Sequence, residues 1–555
     1  MVFLVATLAV FLPDIIERGG NYLANHKQDE FDIHLSDVET DLYPLRATSR
    51  VTIRDRKTRK LILETDEARA TVSFSGWRPV LDLSIKDLSI DLTKEILRRK
   101  KNKSAQTTGG PPGILRHLGN VELTNVDFSL TDGVRSLLTH LVYFEIDFVK
   151  GVSSLKGIRA ATGSHPRLLE IDDIDLGFST DSLLEGNPAG VDARVNGARV
   201  ILAQRALAEL KRLTSFPEKP ARRKRPGFLH HLSFIELKDG QLELPEKKIT
   251  GSLTNFSVNF NDHSAGLSEL EAFLPGGKRF LRVPRASAEF TLPEGAGTQP
   301  ALRAIVSGVR LTVTKKLIAT LKKSTSPGNS KGPLPVAITS LLIGSGQVNL
   351  PDYPGIGKQR YLQIRGIFGH LDHLSLRKGT PLARFNLNAT FEGKERLIVQ
   401  GKLDLSTRQP RFTVDYKIFD LMTKKLNKDF LASLPLTFKA GEIDVLGRAM
   451  KRGDKIVGYF KPFLVAPEVI GNNKDFKSPQ HLAFEVGTSI TEWIFENSKT
   501  DTVAATVPFV VKDGHLDFKT GAALWSAVEH GVLESKRVKA HPQEKNMKQA
   551  QEAAE

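Results

Sequence analysis

Three groups of side chains have types and spacing that could do chemistry. His370-Leu371-Asp372-His373 gathers two imidazoles and a carboxylate within four residues, the donor types of a zinc site. Asp172-Asp173 pairs two carboxylates, as acid/base catalysis requires. His230-His231 follows a basic stretch. Each has a plainer reading. On a strand, residues three apart point to opposite faces, so His370 and His373 would not share an ion. Asp172-Asp173 lies where the apolar phase of its segment slips, a place for turn or bulge chemistry. His230-His231 opens a strand after a linker and reads as a solvated pair. No G-x-S-x-G elbow, phosphate-cradling glycine loop or H-E-x-x-H helix occurs, and cysteine is absent, which removes thiolate zinc sites, disulfides and a cysteine nucleophile. The expectation is a protein that is not an enzyme, with no catalytic residue, cofactor or metal.

The informative pattern is a repeat. VNGARVILAQRALAELKRLTS (195–215) returns as VSGVRLTVTKKLIATLKKSTS (306–326), with eight of 21 positions identical. Residues 85–101, IKDLSIDLTKEILRRKK, fit the same frame through Ile85, Ile90, Leu92 and Leu97. In each copy an apolar strand leads into a helix with basic residues at its end, where cations complement the helix dipole: Lys211 in one, Lys322 in the next. After each helix comes a polar break bearing proline or glycine, at 98–113, 215–227 and 322–333. The basic runs Arg98–Lys103 and Arg222–Arg225 fall in these breaks and read as solvated linkers. Neither contains the aromatic residues that nucleic-acid stacking would need, so no nucleic-acid partner is expected.

A second element follows each linker: VELTNVDFSL (121–130), IELKDGQLEL (235–244) and LLIGSGQVNL (341–350). In the middle copy Ile235 and Leu237 are odd-numbered while Leu242 and Leu244 are even, so one residue is absorbed between them. Either Asp239-Gly240 turns a tight hairpin or the strand carries a bulge, and both leave the four aliphatic side chains on one face. The bulge is preferred, because three-residue hairpin arms would be marginal. The corresponding apolar positions are Val121, Leu123, Phe128 and Leu130 in the first copy, and Leu341, Ile343, Val348 and Leu350 in the third. The same slip separates Leu169 and Ile171 from Ile174, Leu176 and Phe178, and recurs through Leu281, Val283, Ala286, Ala288 and Phe290.

These patterns predict a mainly β protein: an elongated repeat of about 110-residue β-units with short closing helices, forming a curled sheet or open hydrophobic groove behind an N-terminal helix. The expected boundaries are 1–25 for an anchor helix, 26–104, 113–215 and 227–326 for three β-repeats, and 333–470 for a fourth repeat and further strands punctuated by Gly441, Gly447 and Gly458. A C-terminal α+β cap at 476–540 holds Leu524, Val528 and Val532 on one helix side, and a charged tail occupies 541–555. The apolar run from Val2 to Leu12 is shorter than the about 20 residues a bilayer crossing needs, and it lacks a basic flank and a cleavage site. We read it as a membrane anchor whose start is missing or shortened, with a signal remnant or a buried helix as the alternatives. The formal charge of +16 points to an anionic partner, lipid surface or nucleic acid, although much of it lies in the linkers.

Taken together, IIERGGNYLAN, FDIHLSDVETDLYPLRATSRVTIRD and LILETDEARATVSFSGWRPVLDLSIKDLSIDL, with the aromatic of Gly76-Trp77, resemble the AsmA-like superfamily of bacterial envelope proteins, the YhdP- and TamB-related group. KIVGYFKPF, with Gly458, Tyr459 and Pro462, and TDTVAATVPFVVKDG resemble its uncharacterised-domain branch. The resemblance implies an inner-membrane anchored protein of the Gram-negative envelope, mostly periplasmic, whose β-groove serves phospholipid supply to the outer membrane or envelope maintenance. Implied partners are phospholipid or another acyl-chain lipid, the inner membrane and outer-membrane proteins. The alternative is a periplasmic scaffold or assembly factor that engages outer-membrane proteins through its sheet edges.

Overall fold

The computed structural model describes residues 17–18, 31–42, 45–75, 78–96, 117–185, 190–214, 232–291, 301–324, 337–352, 361–374, 382–391, 395–404, 411–422, 436–452, 455–471, 502–504, 507–512 and 515–518. The chain divides into two compact units, 1–278 and 279–555, so the division falls inside the span 227–326. Each unit is mainly β, a curled run of strands bonded to their neighbours, as the sequence predicts.

Unit 1 carries β1 (Phe31–Leu42), β2 (Leu45–Asp55), β3 (Leu61–Ser75), β4 (Arg78–Thr93), β5 (Leu118–Thr131), β6 (Ser136–Asp147), β7 (Val152–Thr162) and β8 (His165–Gly177). After α1 (Thr180–Glu185) come β9 (Val191–Asn196), β10 (Arg199–Ile201), α2 (Gln204–Thr214), β11 (Leu232–Leu244), β12 (Ile249–Asn259) and β13 (Ser264–Leu274). Successive strands pair antiparallel, with two exceptions. β4 lies parallel to β5, and β9 and β10 both lie parallel to β11. β9 and β10 are two halves of one strand position, parted at Gly197-Ala198.

Unit 2 repeats this arrangement. β14 (Lys278–Thr291) pairs antiparallel with β15 (Ala301–Ser307) and β16 (Val309–Thr312). After α3 (Lys315–Ser324), these run parallel to β17 (Ala337–Ile343) and β18 (Gly346–Leu350). An antiparallel series follows: β19 (Leu362–Leu374), β20 (Ala383–Phe391), β21 (Glu395–Asp404), β22 (Arg411–Met422), β23 (Leu436–Arg452) and β24 (Lys455–Gly471). β24 then pairs with β25 (Thr502–Ala504) and β26 (Val507–Lys512), and β26 with β27 (His515–Phe518).

The two recurring sequence elements thus lie side by side in parallel. Parallel neighbours need a crossover of a dozen residues or more, which the helix and polar break supply; a tight turn would reverse the chain. The linker basic runs, His230-His231, Trp77, the Val2–Leu12 segment and the helix expected around Leu524 lie outside the described residues.

The slip in apolar phase is neither the hairpin nor the bulge the sequence offers: the register is the same on both sides of Asp239, and the neighbouring strands slip together with it. β11 is continuous from Leu232 to Leu244, β12 pairs with it on both sides of Asp239, and Asp239 has φ 51°. At the equivalent positions Asp87 has φ 51°, Asn125 53°, Gly197 64° and Gly308 73°. Glycine adopts this left-handed backbone freely, and Asn and Asp tolerate it better than other L-residues. The irregularities stack from strand to strand. Asn125 Nδ2 donates to Asp87 Oδ1 at 3.0 Å, the Gly197 N–H donates to the Lys238 carbonyl at 3.1 Å, and the Val309 N–H donates to the Ser345 carbonyl at 3.0 Å. At Gly197 a Cβ would stand 1.9 Å from the Asp172 carboxylate, a second reason for glycine there.

Candidate functional site: the apolar face

Cross-strand partners in register present their side chains on the same face of a sheet. Following the register through unit 1 therefore sorts residues into faces. One row runs Ala68, Ile85, Leu123, Phe144, Leu155, Ile174, Val195, Leu237, Phe256 and Leu267, from β3 to β13. Two residues along, another runs Leu83, Val121, Ile146, Ser153, Leu176, Ala193, Ile235, Val258 and Ala265. Beyond the left-handed positions a third runs Ile33, Ile53, Leu63, Ile90, Phe128, Thr139, Ala160, Leu169, Val200, Leu242, Gly251 and Ala272.

The intervening rows are polar. Glu67, Lys86, Thr124, Tyr143, Lys156, Asp173, Asn196, Lys238 and Asn255 form one, and Ser89, Asp127, His140, Arg159, Glu170, Arg199, Gln241 and Ser252 another. Charges of opposite sign alternate along these rows. His140 Nδ1 is 2.9 Å from Asp127, and Arg199 pairs with both Glu243 and, at 3.9 Å, Glu170. The hydrogen bond from Arg199 to Glu243 holds the guanidinium pKa above its ordinary value.

The sequence candidates separate by this register. Val121 shares a row with Ile235, Leu123 with Leu237, and Phe128 with Leu242, each pair linked through the intervening strands rather than in direct contact. Leu130 opposes Leu92 and Leu137, and Leu244 opposes Ile249. In unit 2, Leu341 lies between Ala304 and Leu371, Ile343 between Val306 and Gly369, Val348 between Leu311 and Ile364, and Leu350 opposite Leu362. Leu130 is buried, Leu242 is 39% exposed, and the other ten are half-buried.

This intermediate exposure decides what kind of face it is. In a closed sandwich the facing side chains would be buried against a second layer. Among the described residues the clusters of buried apolar side chains are small: Leu168, Ala203 and Ala206 with Ile201 where α2 meets the sheet, and Val457 with Tyr459, packed by Met450 and Val510. Among the described residues the face is apolar without being filled.

Unit 2 builds its face differently. Its rows run Ala304, Leu341, Leu371, Phe385, Gly401, Val414, Ala449, Gly458 and Phe509, and Val306, Ile343, Gly369, Leu387, Val399, Tyr416, Gly447 and Phe460. Aromatic rings lie over glycines on neighbouring strands. A Cβ at Gly401 would come within 2.7 Å of Phe385 Cζ, one at Gly447 within 2.2 Å of Tyr416 Cζ, and one at Gly458 within 2.7 Å of Phe509 Cζ. Phe460 and Phe509 then meet with ring centroids 6.5 Å apart. Burial, aided by the neighbouring Tyr459, pushes the Tyr416 phenol up to about 12, and its hydroxyl donates to the Tyr459 carbonyl at 3.4 Å. These aromatics were missed in the sequence. The glycines were visible, but only the register shows which ring covers which glycine.

Among the described residues the chemical candidates form no catalytic constellation. His370 and His373 are both exposed, and His370 Nε2 lies 3.7 Å from Asp372. His373 has φ 57°, so the strict strand alternation assumed for this pair does not hold. Asp172 falls at the bulge of β8, and Asp173 accepts a hydrogen bond from Asn196 Nδ2. Among the described residues no three or more acidic or histidine side chains converge as a metal site, and no helix is long and apolar enough to cross a membrane. No protein-family model matches the chain, and no curated protein matches it.

Proposed function

We propose that the chain is a non-enzymatic envelope protein of the AsmA-like kind, anchored at the inner membrane, whose apolar β face binds or conducts phospholipid between the inner and outer membranes. The observation carrying this reading is the set of apolar rows that cross successive strands on one face while staying half-exposed. Acyl chains laid on such a face gain about 0.8 kcal/mol per CH₂ removed from water. Headgroups stay hydrated at its edge, and transfer along the rows breaks no covalent bond.

Leu242 provides the test. An aspartate in a dry core would cost several kcal/mol and unfold its surroundings. At 39% exposure the carboxylate keeps water, so Leu242→Asp is expected to fold and to lose lipid passage. The measurements are thermal unfolding of this variant and photo-crosslinking to lipid from a probe at residue 242 of the otherwise unchanged chain. Unfolding of the variant, together with no lipid crosslink, would sink the groove.

A further inference from the structure

The formal charge is unevenly shared. Residues 279–555 hold 41 lysines and arginines against 26 acidic residues, so they carry +15 of the +16, and the stretch 301–350 has seven basic residues and no acidic one. On the polar face of unit 2 this charge surrounds an apolar ridge. Ile305 on β15 and Leu342 on β17 are partners, Leu342 is in turn opposite His370 on β19, and Phe368 stands two residues from His370 on the same face. The three apolar side chains are 48%, 45% and 54% exposed. Arg303, whose register partner is Glu289, lies two residues from Ile305, and Arg285 opposes Ser307 on the other side. Arg310 and Arg365 each stand one residue from the apolar row of Leu311, Val348 and Ile364, and so point to the polar side. All four arginines are exposed, and no ion pair among the described residues engages any of them.

Unit 1 carries the complement on its own polar face. Glu145 and Asp175 flank Ser154 in one row, and Asp147, Val152, Gly177 and Asp192 form the next. The four carboxylates ring a cavity of about 500 Å³, with Val152, 47% exposed, between them. Lys150 pairs with Asp147 at 2.8 Å, whereas no ion pair among the described residues engages Glu145, Asp175 or Asp192. Arg194, also at the cavity, lies 4.0 Å from Glu236. Beside it, burial, a hydrogen bond to Glu145 and the charges of Glu145 and Glu122 push the Tyr143 phenol up to about 12. Like-charge pairs of opposite sign thus mark the two faces: Glu122 is the direct partner of Glu145, and Arg282 that of Arg310. Such pairs destabilise a sheet, and a surface of opposite charge relieves them.

We propose that the chain self-associates, the arginine-ringed ridge of one copy docking on the carboxylate-ringed cavity of a second copy. Phe368 and Leu342 meet Val152, while the arginines meet Glu145, Asp175 and Asp192. Exposed apolar residues rimmed by charge mark protein-binding surfaces, and arginine and phenylalanine are enriched in them. Ridge and cavity are different surfaces, so the contact is heterologous. It uses the polar face, so it stands or falls apart from the lipid reading, which concerns the apolar face.

The test is sedimentation velocity of the full-length chain over a range of concentrations. Association is expected at low ionic strength and should weaken by about tenfold or more in high salt. Arg310→Glu with Arg365→Glu, and separately Asp175→Lys with Asp192→Lys, are each expected to weaken it by about tenfold or more. Mixing these two variants is expected to restore pairing, because the first keeps the native cavity and the second the native ridge. Circular dichroism checks that both fold. Phe368→Ser, expected to weaken association several-fold, tests the ridge without changing its charge. Four results would overturn the proposal: a chain that stays monomeric in low salt, a folded reversal variant that associates as before, no recovery on mixing, or a compaction independent of concentration, which would mean a chain closing on itself. Binding of single-stranded DNA or phosphatidylglycerol vesicles by a monomeric chain, lost with Arg310→Glu and Arg365→Glu, would likewise overturn it and assign the ridge to an external polyanion.

Discussion

Unit 1 and unit 2 each present one apolar face, but they make it from different materials. Unit 1 uses aliphatic ladders in which Leu123, Leu155, Ile174, Val195 and Leu237 stand side by side across the strands. Unit 2 uses rings laid over glycines, Phe385 on Gly401, Tyr416 on Gly447 and Phe509 on Gly458. An aliphatic ladder leaves its methyl groups upright and half-exposed. A ring over a glycine fills the gap left by the missing side chain and shields the backbone beneath it, a device also used to rescue glycine in designed sheets. The same solvent-facing property therefore tolerates very different substitutions in the two units.

The largest expected effect exploits that contrast. Gly447→Val would drive a side chain into the Tyr416 ring and should destabilise unit 2 by about 3 kcal/mol, the upper range for overpacking. Gly251→Val in unit 1 meets nothing closer than 3.5 Å and should cost under about 1 kcal/mol. Denaturant unfolding of the two variants checks the pair, and equal costs would break the distinction between ring-covered and open glycines.

A smaller effect is expected from alkali. Because burial raises the Tyr416 pKa to about 12 from 10, the folded chain holds this proton more tightly than the unfolded chain. The resulting stability is complete below pH 10 and fades as pH climbs toward 12, by about 2 kcal/mol. Tyr416→Phe should remove this component of the pH dependence. An unchanged alkaline profile would show that the ring is not shielded as described.

Smaller still is the polar ladder of unit 1. Glu243→Gln removes the nearer of the two carboxylates paired with Arg199, whose side chain is 38% exposed, so the cost should stay below about 1 kcal/mol and shrink further in salt. Two-state unfolding at low and high ionic strength measures it. A cost of several kcal/mol, insensitive to salt, would mean that the polar face is packed rather than solvated.

Much of the fold was legible because its signals are local. The helix ends at Lys211, the breaks after each helix, and the shift between Leu237 and Leu242 all reside within stretches of about 20 residues. Asp239 and Asn125 even announced the left-handed position through their residue types. What stayed hidden depends on register between distant segments. Nothing in IELKDGQLEL says that it will lie parallel to VNGARVI, and nothing near Arg384 says that Lys402 will stand opposite it. The same holds for Tyr416 and Gly447, 31 positions apart in sequence and partners only once β22 and β23 align. The His370–His373 argument assumed a regular strand, and only the register shows that His373 leaves the extended region.

The stacked left-handed residues have a mechanical consequence. A sheet twists and coils through its own strand backbones, and local irregularities add bends of their own. Here the bend is scored into the backbone itself, at Asp87, Asn125, Gly197 and Asp239, like a crease across paper. A crease sets the shape of the apolar face from within the backbone, and a β-branched residue at one of these positions would strain it, because such residues resist the left-handed backbone.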